Sequence, residues 1–168
     1  MSNTRYRIVK TKDGFIGLVA TPQGLRRVIQ LAPREGMIRR EIAGEFADAV
    51  EDRRLLPDLA AALRRYLTGR RVDFDVRFDL TDHREFDIDV WTACQRVPYG
   101  QTRSYKSLAE RIGRPGAARA VGSAMGRNPC PIVVPCHRVV KSDGSLGGYS
   151  GRGGLDLKRR LLDLEADG

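Results

Sequence analysis

The sequence predicts an α+β fold: a small N-terminal domain of β-sheet and helix, followed by a mainly helical C-terminal domain. Three observations carry this expectation. Short β-rich runs punctuated by Gly and Pro crowd residues 6–31, helical periodicity takes over near residue 34 and dominates from residue 86 onward, and Thr81-Asp82-His83-Arg84 forms a polar break between the two patterns. The expected domains are therefore 1–82 and 83–168, and 168 residues are enough for two small domains of roughly 80 residues each.

Taken in order, Arg5 to Lys10, Phe15 to Ala20 and Leu25 to Leu31 are separated by Asp13-Gly14 and Pro22-Gln23-Gly24, which reads as an antiparallel meander. A helix is predicted over about 34–50 from Met37, Ile38, Ile42, Phe46 and Val50. Another is predicted over 56–68, where Leu59, Leu63, Tyr66 and Leu67 form one apolar face and Gly69 supplies the stop. Val72 to Leu80 alternates apolar and charged residues with period two and reads as a half-exposed strand. No catalytic constellation occurs in 1–82, so this part is expected to act as support.

Phe86 to Val97 is helical in pattern, with Val90, Ala93 and Cys94 on its inner side and Trp91 expected in the core. Ser104 is placed to cap a helix with Leu108 and Ile112 facing inward. Gly113-Arg114-Pro115-Gly116 then makes a turn into a second helix, Ala117 to Met125. Two short helices across a Gly-containing turn have the helix-turn-helix pattern. The second helix is bare: Ala117, Ala118, Ala120, Gly122, Ser123 and Ala124 are all small, and Arg119 is the one long side chain on its outer face. Such a face suits either tight packing inside the protein or close approach to a DNA minor groove, with Arg119 able to enter the base stack.

Charge distribution favours a polyanionic partner. The chain carries a formal +9; residues 1–82 hold 16 Lys+Arg against 12 Asp+Glu, whereas 96–160 hold 13 against 3. The basic excess of the second region suggests nucleic acid, against the alternative of a merely soluble Arg-rich surface. The absence of an apolar run of 18 or more residues and of an apolar stretch near Met1 argues against a membrane or secreted protein and sets a cytoplasmic expectation. Three cysteines, Cys94, Cys130 and Cys136, form an odd set without a CxxC pair, as reduced thiols do. Cys130, Cys136 and His137 lack a recognisable fourth zinc ligand, since the other histidine is His83, and no metal site is expected.

The chemistry concentrates in Ile132 to Val140. Six of its nine residues are aliphatic or Pro, yet Cys136, His137 and Arg138 stand side by side at its centre. A thiol beside an imidazole in an electropositive setting is expected to have a depressed pKa and so supply a thiolate nucleophile. A small buried Cys beside a satisfied His is the plainer alternative. Upstream, Gly126 to Pro131 is a Pro-rich loop that leads into an expected buried strand ending at Pro135. Downstream, Leu146 to Gly154 is a Gly-rich loop around Tyr149, without the GxxxxGK[ST] of a phosphate loop. A last helix runs from Leu155 to about Glu165.

With Pro135-Cys136-His137-Arg138 after Asn128-Pro129, and Ala117 to Gly122 upstream, the chain resembles the 6-O-alkylguanine-DNA alkyltransferases, or methylated-DNA-protein-cysteine methyltransferases. Val90-Trp91, Val97 to Gly100, Ser104-Tyr105, Gly147 to Tyr149, and Lys158 with Leu161-Leu162 extend the likeness over about 86–165. The resemblance implies direct-reversal DNA repair: single-turnover transfer of an alkyl group from 6-O-alkylguanine, with methylthymine as a further candidate substrate, to Cys136. It implies His137 as a base acting through a water and Glu165 as the group that orients it. Tyr105 would contact the flipped base, Arg119 would fill the gap in the stack, and Ala120, Gly122 and Ser123 would line the DNA-facing helix. Asn128 would hold that helix against the active-site segment, and Tyr149, Ser150 and Gly151 would surround the base. It also implies a monomer on double-stranded DNA, bound through the minor groove, with no cofactor. Some members carry an N-terminal zinc, but residues 1–82 contain neither Cys nor His. Arg152-Gly153 lengthens the Gly-rich loop relative to the shortest family versions. The competing reading is a non-catalytic lesion-recognition or regulatory DNA-binding protein, which the presence of Cys136 disfavours. A cysteine hydrolase is a more distant alternative, because it would need an oxyanion site.

Overall fold

The computed structural model describes residues 3–168 and is a mixed α+β protein. The chain folds as two compact units, one ending at Leu80 and the other beginning at Thr81.

In the first unit, β1 (Arg5–Thr11), β2 (Gly14–Thr21) and β3 (Gly24–Ala32) form the expected antiparallel meander. The sheet order is β3-β2-β1-β4, where the two-residue β4 (Val50–Glu51) runs parallel to β1 beside Arg5 and Tyr6. Helix α1 (Glu35–Glu45) covers one face, burying Ile38 and Ile42 against Val19, Ile29 and Ala32. Gly17 makes this approach possible: a Cβ there would lie 2.7 Å from Ile38 Cγ2. Successive strand residues point to opposite faces, and Ile16, Leu18 and Ala20 are buried as well, so β2 is covered on both sides. Helix α2 (Pro57–Tyr66) packs along β1 and buries Leu59, Leu63 and Tyr66.

Two expectations fail here. The helix predicted over 34–50 stops at Glu45, because Phe46 leaves helical geometry and the chain straightens so that Val50 and Glu51 can pair with β1; Val50 is half exposed rather than on an apolar helix face. Residues 72–80 do not form a strand. Their alternation is real, with Val72 buried and Asp73 and Asp75 exposed, but pairing is confined to a bridge at Phe78. There Leu25 N donates to Arg77 O at 2.8 Å and Asp79 N donates to Leu25 O at 2.8 Å. Asp79, which the pattern placed outward, is buried and accepts from Thr21 Oγ1 at 2.7 Å and Arg26 Nη1 at 3.2 Å.

The second unit is mainly helical. Helix α3 (Glu85–Gln95) packs against α5 (Ala118–Gly126), and α4 (Tyr105–Arg111) packs on both. Val90, Cys94, Leu108 and Val121 are fully buried between them, and Trp91 is in the core as expected, its Nε1 donating to Ala124 O at 2.8 Å. Ser104 caps α4, its Oγ accepting from Ser107 N at 3.0 Å. Helix α6 (Gly154–Asp167) closes the chain and runs one half-turn beyond the expected end. Among the described residues, no helix is long and apolar enough to cross a membrane.

Candidate active site

All of Ile132 to Val140 is buried, as its composition demands, but it is not a strand ending at Pro135. Asn128 prevents that. Its Oδ1 accepts from Cys130 N and its Nδ2 donates to Val134 O, both at 2.9 Å, folding 128–134 into a compact turn. Ile132 takes a left-handed backbone with φ 73°, a conformation costly for a β-branched residue and typical of an over-determined functional segment. Cys136–Arg138 then forms a single 3-10 turn, and β5 (Arg103–Ser104) pairs in parallel with β6 (Val139–Val140) immediately after it. The thiol, imidazole and guanidinium thus sit on a tight turn between α5 and the residues that lead into α4.

Behind them stands Glu165. Its Oε1 lies 2.7 Å from His137 Nε2, and both its oxygens accept from Arg138 Nε at 3.1 and 2.9 Å. Arg138 Nη2 adds a bond at 2.9 Å, and Gly100 N donates to Oε2 at 3.1 Å. Arg138 Nη1 also donates to Val97 O at 2.7 Å. A buried carboxylate with a bidentate Arg is a charge that has been compensated in place. Burial holds His137 below its ordinary pKa, although Glu165 pulls the other way, so the imidazole stays neutral at physiological pH. With Nε2–H directed to the carboxylate, the basic nitrogen is Nδ1.

The expected depression of the Cys136 thiol is not found. Burial dominates and pushes it up, while the Asn128 side chain, the Lys158 ammonium and nearby backbone donors oppose that rise without cancelling it. The basic neighbour that the sequence offered, Arg138, has its charge neutralised by Glu165. The thiol is therefore protonated at rest, and it needs a base rather than a standing positive field.

Lys158 and Arg138 are structural members of the site beyond the residues expected to act. Lys158 is fully buried, and its Nζ donates to Val139 O at 2.6 Å, to Leu146 O, and to Gly148 O at 3.1 Å; Tyr105 Oη lies at 3.4 Å. Burial lowers its pKa to about 8. A Lys on the stripe shared with Leu161 and Glu165, three and seven residues on, was the available signal: long cations on an apolar helix face are there to satisfy something.

Tyr105, at the start of α4, is half-buried between α5 and the Gly-rich loop. A Cβ on Gly122 would lie 3.8 Å from its ring, and a Cβ on Gly147, whose φ is 71°, would lie 2.7 Å from its hydroxyl. Burial raises the Tyr105 pKa, so it remains a phenol and a donor. Ser150 Oγ ties the loop to the end of α5 by donating to Gly126 O at 2.9 Å. Gly151 O accepts from Gly154 N at 3.0 Å, and Tyr149 is half-buried beside them. Arg119, Ala120 and Ser123 are exposed on α5, and Gly122 is half-buried. The structure thus bonds His137 to Glu165, folds the segment before Cys136 around Asn128, and sets Tyr105 against Gly122 and the loop, while Arg119, Ala120 and Ser123 form a separate, solvent-facing group. Among the described residues, no group of three His, Cys, Asp or Glu side chains is arranged to hold a metal ion.

An α+β chain whose one turn carries a protonated thiol followed by a neutral, carboxylate-anchored imidazole has the groups that a base-assisted nucleophilic step uses. Comparison with known proteins narrows the class. Residues 85–167 match the family profile described as 6-O-methylguanine DNA methyltransferase, DNA binding domain. The methylated-DNA–protein-cysteine methyltransferase of Methanosarcina barkeri is 41% identical over 160 residues, spanning 95% of this chain and 96% of that one. The protein of the same name from Mycolicibacterium paratuberculosis is 52% identical over 120 residues, 71% of this chain and 65% of its own length. The crystal structure of Mycobacterium tuberculosis OGT in complex with DNA superposes with a TM-score of 0.82 at 36% identity, covering 97% of this chain and 93% of that one. The chain belongs to the methylated-DNA–protein-cysteine methyltransferase family.

Proposed function

We propose that this protein repairs alkylated DNA by direct reversal, moving the alkyl group of a 6-O-alkylguanine onto its own Cys136. The observation that carries the reading is the Cys136–His137–Glu165 arrangement in a chain of this family. Since the thiol is protonated at rest, the step begins with proton transfer from Cys136 through a water to His137 Nδ1, while Glu165 holds the ring and stabilises the imidazolium that forms. The thiolate pair then forms an S–C bond to the alkyl carbon as the C–O6 bond breaks. The departing guanine takes up a proton, for which the Tyr105 phenol is the donor. The thioether that results has no leaving group, so each molecule acts once.

A base inside a duplex cannot reach a buried thiol and must be flipped out. The α4–turn–α5 pair serves as a helix-turn-helix, with the bare face of Ala120, Gly122 and Ser123 against the minor groove and Arg119 in the vacated stack. Asn128 couples that helix to the active-site turn, and Tyr149, Ser150 and Gly151 form the wall beside the base. Residues 83–168 act as the alkyltransferase domain and 1–82 as its support, in a monomer. Three free, buried cysteines suit a reducing cytoplasm. The DNA-bound M. tuberculosis protein and the name of the M. barkeri relative support the choice of substrate.

Intact-protein mass spectrometry after incubation with a duplex carrying 6-O-methylguanine tests this. One methyl should be added irreversibly, and Cys136→Ala should add none. Binding of the duplex with unchanged mass would favour lesion recognition without repair. Arg119→Ala should slow reaction with the duplex more than reaction with the free base; equal losses would remove Arg119 from the flipping role.

A further inference from the structure

The cations of the first unit differ in whether a carboxylate holds them, and Arg5, Arg34, Arg40, Arg53, Arg54 and Arg77 are exposed cations spread over other parts of the unit. Arg26, Arg27 and Arg39 are committed to carboxylates: Asp79 at 3.2 Å, Glu45 at 3.3 Å, and Glu35 and Glu51 at 2.6 and 2.9 Å. Lys12, Arg64, Arg65, Arg70 and Arg71 are exposed and have no such partner among the described residues. The backbone gathers these five into one place. Helix α2 packs on β1, and Arg64 Nε donates to Lys10 O at 3.0 Å, which sets the last turn of α2 beside the end of β1, where Lys12 begins the turn. Gly69, at φ 86°, then reverses the chain. Its N donates to Tyr66 O at 2.9 Å and Arg70 N reaches Arg65 O at 3.4 Å, a Schellman closure that returns Arg70 and Arg71 alongside Arg65.

Helix geometry explains only part of this cluster. Arg64 and Arg65 gain from the negative end of α2, but Lys12, Arg70 and Arg71 do not, and grouped like charges repel one another in the folded state. Asp13, Asp73 and Asp75 border the cluster in sequence and leave it net positive. We infer that the end of α2 and the β1–β2 turn form a second, sequence-independent binding surface for the phosphate backbone of DNA, carried on the first unit and distinct from the α4–α5 face. The inference rests on the proposed repair function, which supplies DNA as the polyanion. Its role is to hold the protein on undamaged duplex between lesions, where phosphate contacts supply nearly all of the affinity.

The test is fluorescence anisotropy of the full chain on a labelled, undamaged duplex over a salt titration. The combined variant Lys12→Gln, Arg65→Gln, Arg70→Gln and Arg71→Gln leaves the Arg64 bond to Lys10 O in place. It should bind at least tenfold more weakly at low salt. Its log affinity should fall less steeply with log salt, by about 0.9 for each phosphate contact removed. Its thermal midpoint and its alkylation by free 6-O-methylguanine should match wild type. The matching Lys variant, Arg65→Lys, Arg70→Lys and Arg71→Lys, should retain the wild-type slope. An unchanged affinity and slope in the Gln variant, in a preparation whose wild type takes up methyl from a damaged duplex, overturns the surface and leaves the repair function standing. A wild type that takes up no methyl overturns both.

Discussion

The two units use their polar residues differently. In the first, ion pairs such as Arg39 with Glu35 and Glu51 lie at the surface with all three side chains well exposed, Asp79 is buried beside Arg26, and the rest of the interior is largely Ile, Val, Leu and Ala. In the second, Asp87, Asn128, His137, Arg138, Lys158 and Glu165 are all buried. Buried polar groups are costly unless satisfied, and here Asp87 is bonded to Arg84 and Arg127 while the others are bonded to one another or to the backbone. The first unit is stabilised by packing that tolerates substitution at its rim. The second commits folding energy to a network that holds a thiol, a base and a loop in register. An Arg with a carboxylate is therefore a solvated pair at Arg39 and a buried, structural one at Arg138.

The largest break in that contrast is Glu165→Leu. Removing the carboxylate strands Arg138 in the interior, which should cost about 3 to 5 kcal/mol, read as a lowered denaturation midpoint. Adding Arg138→Met should recover much of the loss in stability while alkyl transfer stays slow. If stability and transfer return together, Glu165 is only structural. Glu165→Gln, which keeps the shape, should slow transfer while leaving DNA affinity nearly intact in a binding titration.

Acid pH sharpens the comparison next. In the proposed mechanism the base is neutral His137, whose pKa burial holds below the ordinary value of about 6.5. The rate should therefore persist as pH falls through about 6.5 and drop only below it, at the lowered folded value. Asp87 contributes to stability in the same direction. Hydrogen bonds from Arg127 at 2.8 and 3.0 Å, and then from Arg84, hold its carboxyl below the usual range. Its contribution is present above the unfolded value of about 3.9 and is lost as pH falls through the lower folded value. An acid-unfolding scan of Asp87→Asn should lack that limb.

The smallest effect belongs to the first unit. Arg39→Met should change stability by no more than about 1 kcal/mol, because its partners are solvated and screened by salt; a larger loss in a thermal melt would mean that the two units are not so different.

Much of this was legible in the sequence, for reasons that can be named. Period-two runs split by Asp13-Gly14 and Pro22 to Gly24 encode the meander locally, and Ser104 encodes its cap in one side chain. Cys136, His137, Asn128 and Glu165 were legible through the family motifs, and the geometry gathers them. What failed is what depends on distant partners. Residues 72–80 alternate correctly, yet among the described residues they meet the edge of β3 only at Leu25, so no ladder forms. Val50 fits a helical period until β1 claims it. The sign of the Cys136 shift was missed because neighbouring charges can be read along the chain, whereas desolvation is a property of everything packed around the sulfur, and here it wins.

Lys158 carries a consequence of its own. One ammonium holds Leu146 O and Gly148 O of the Gly-rich loop and also lowers the energy of a thiolate at Cys136. Two events sharing one proton are thermodynamically linked, and linkage is reciprocal. The charged lysine favours the ionised sulfur, and the ionised sulfur in turn favours the charged lysine against the burial that opposes it. With a lysine pKa of about 8, that proton is in play just above physiological pH. In the proposed mechanism the charge that eases ionisation of the sulfur is therefore the same one that holds the loop carbonyls, and losing it would weaken both.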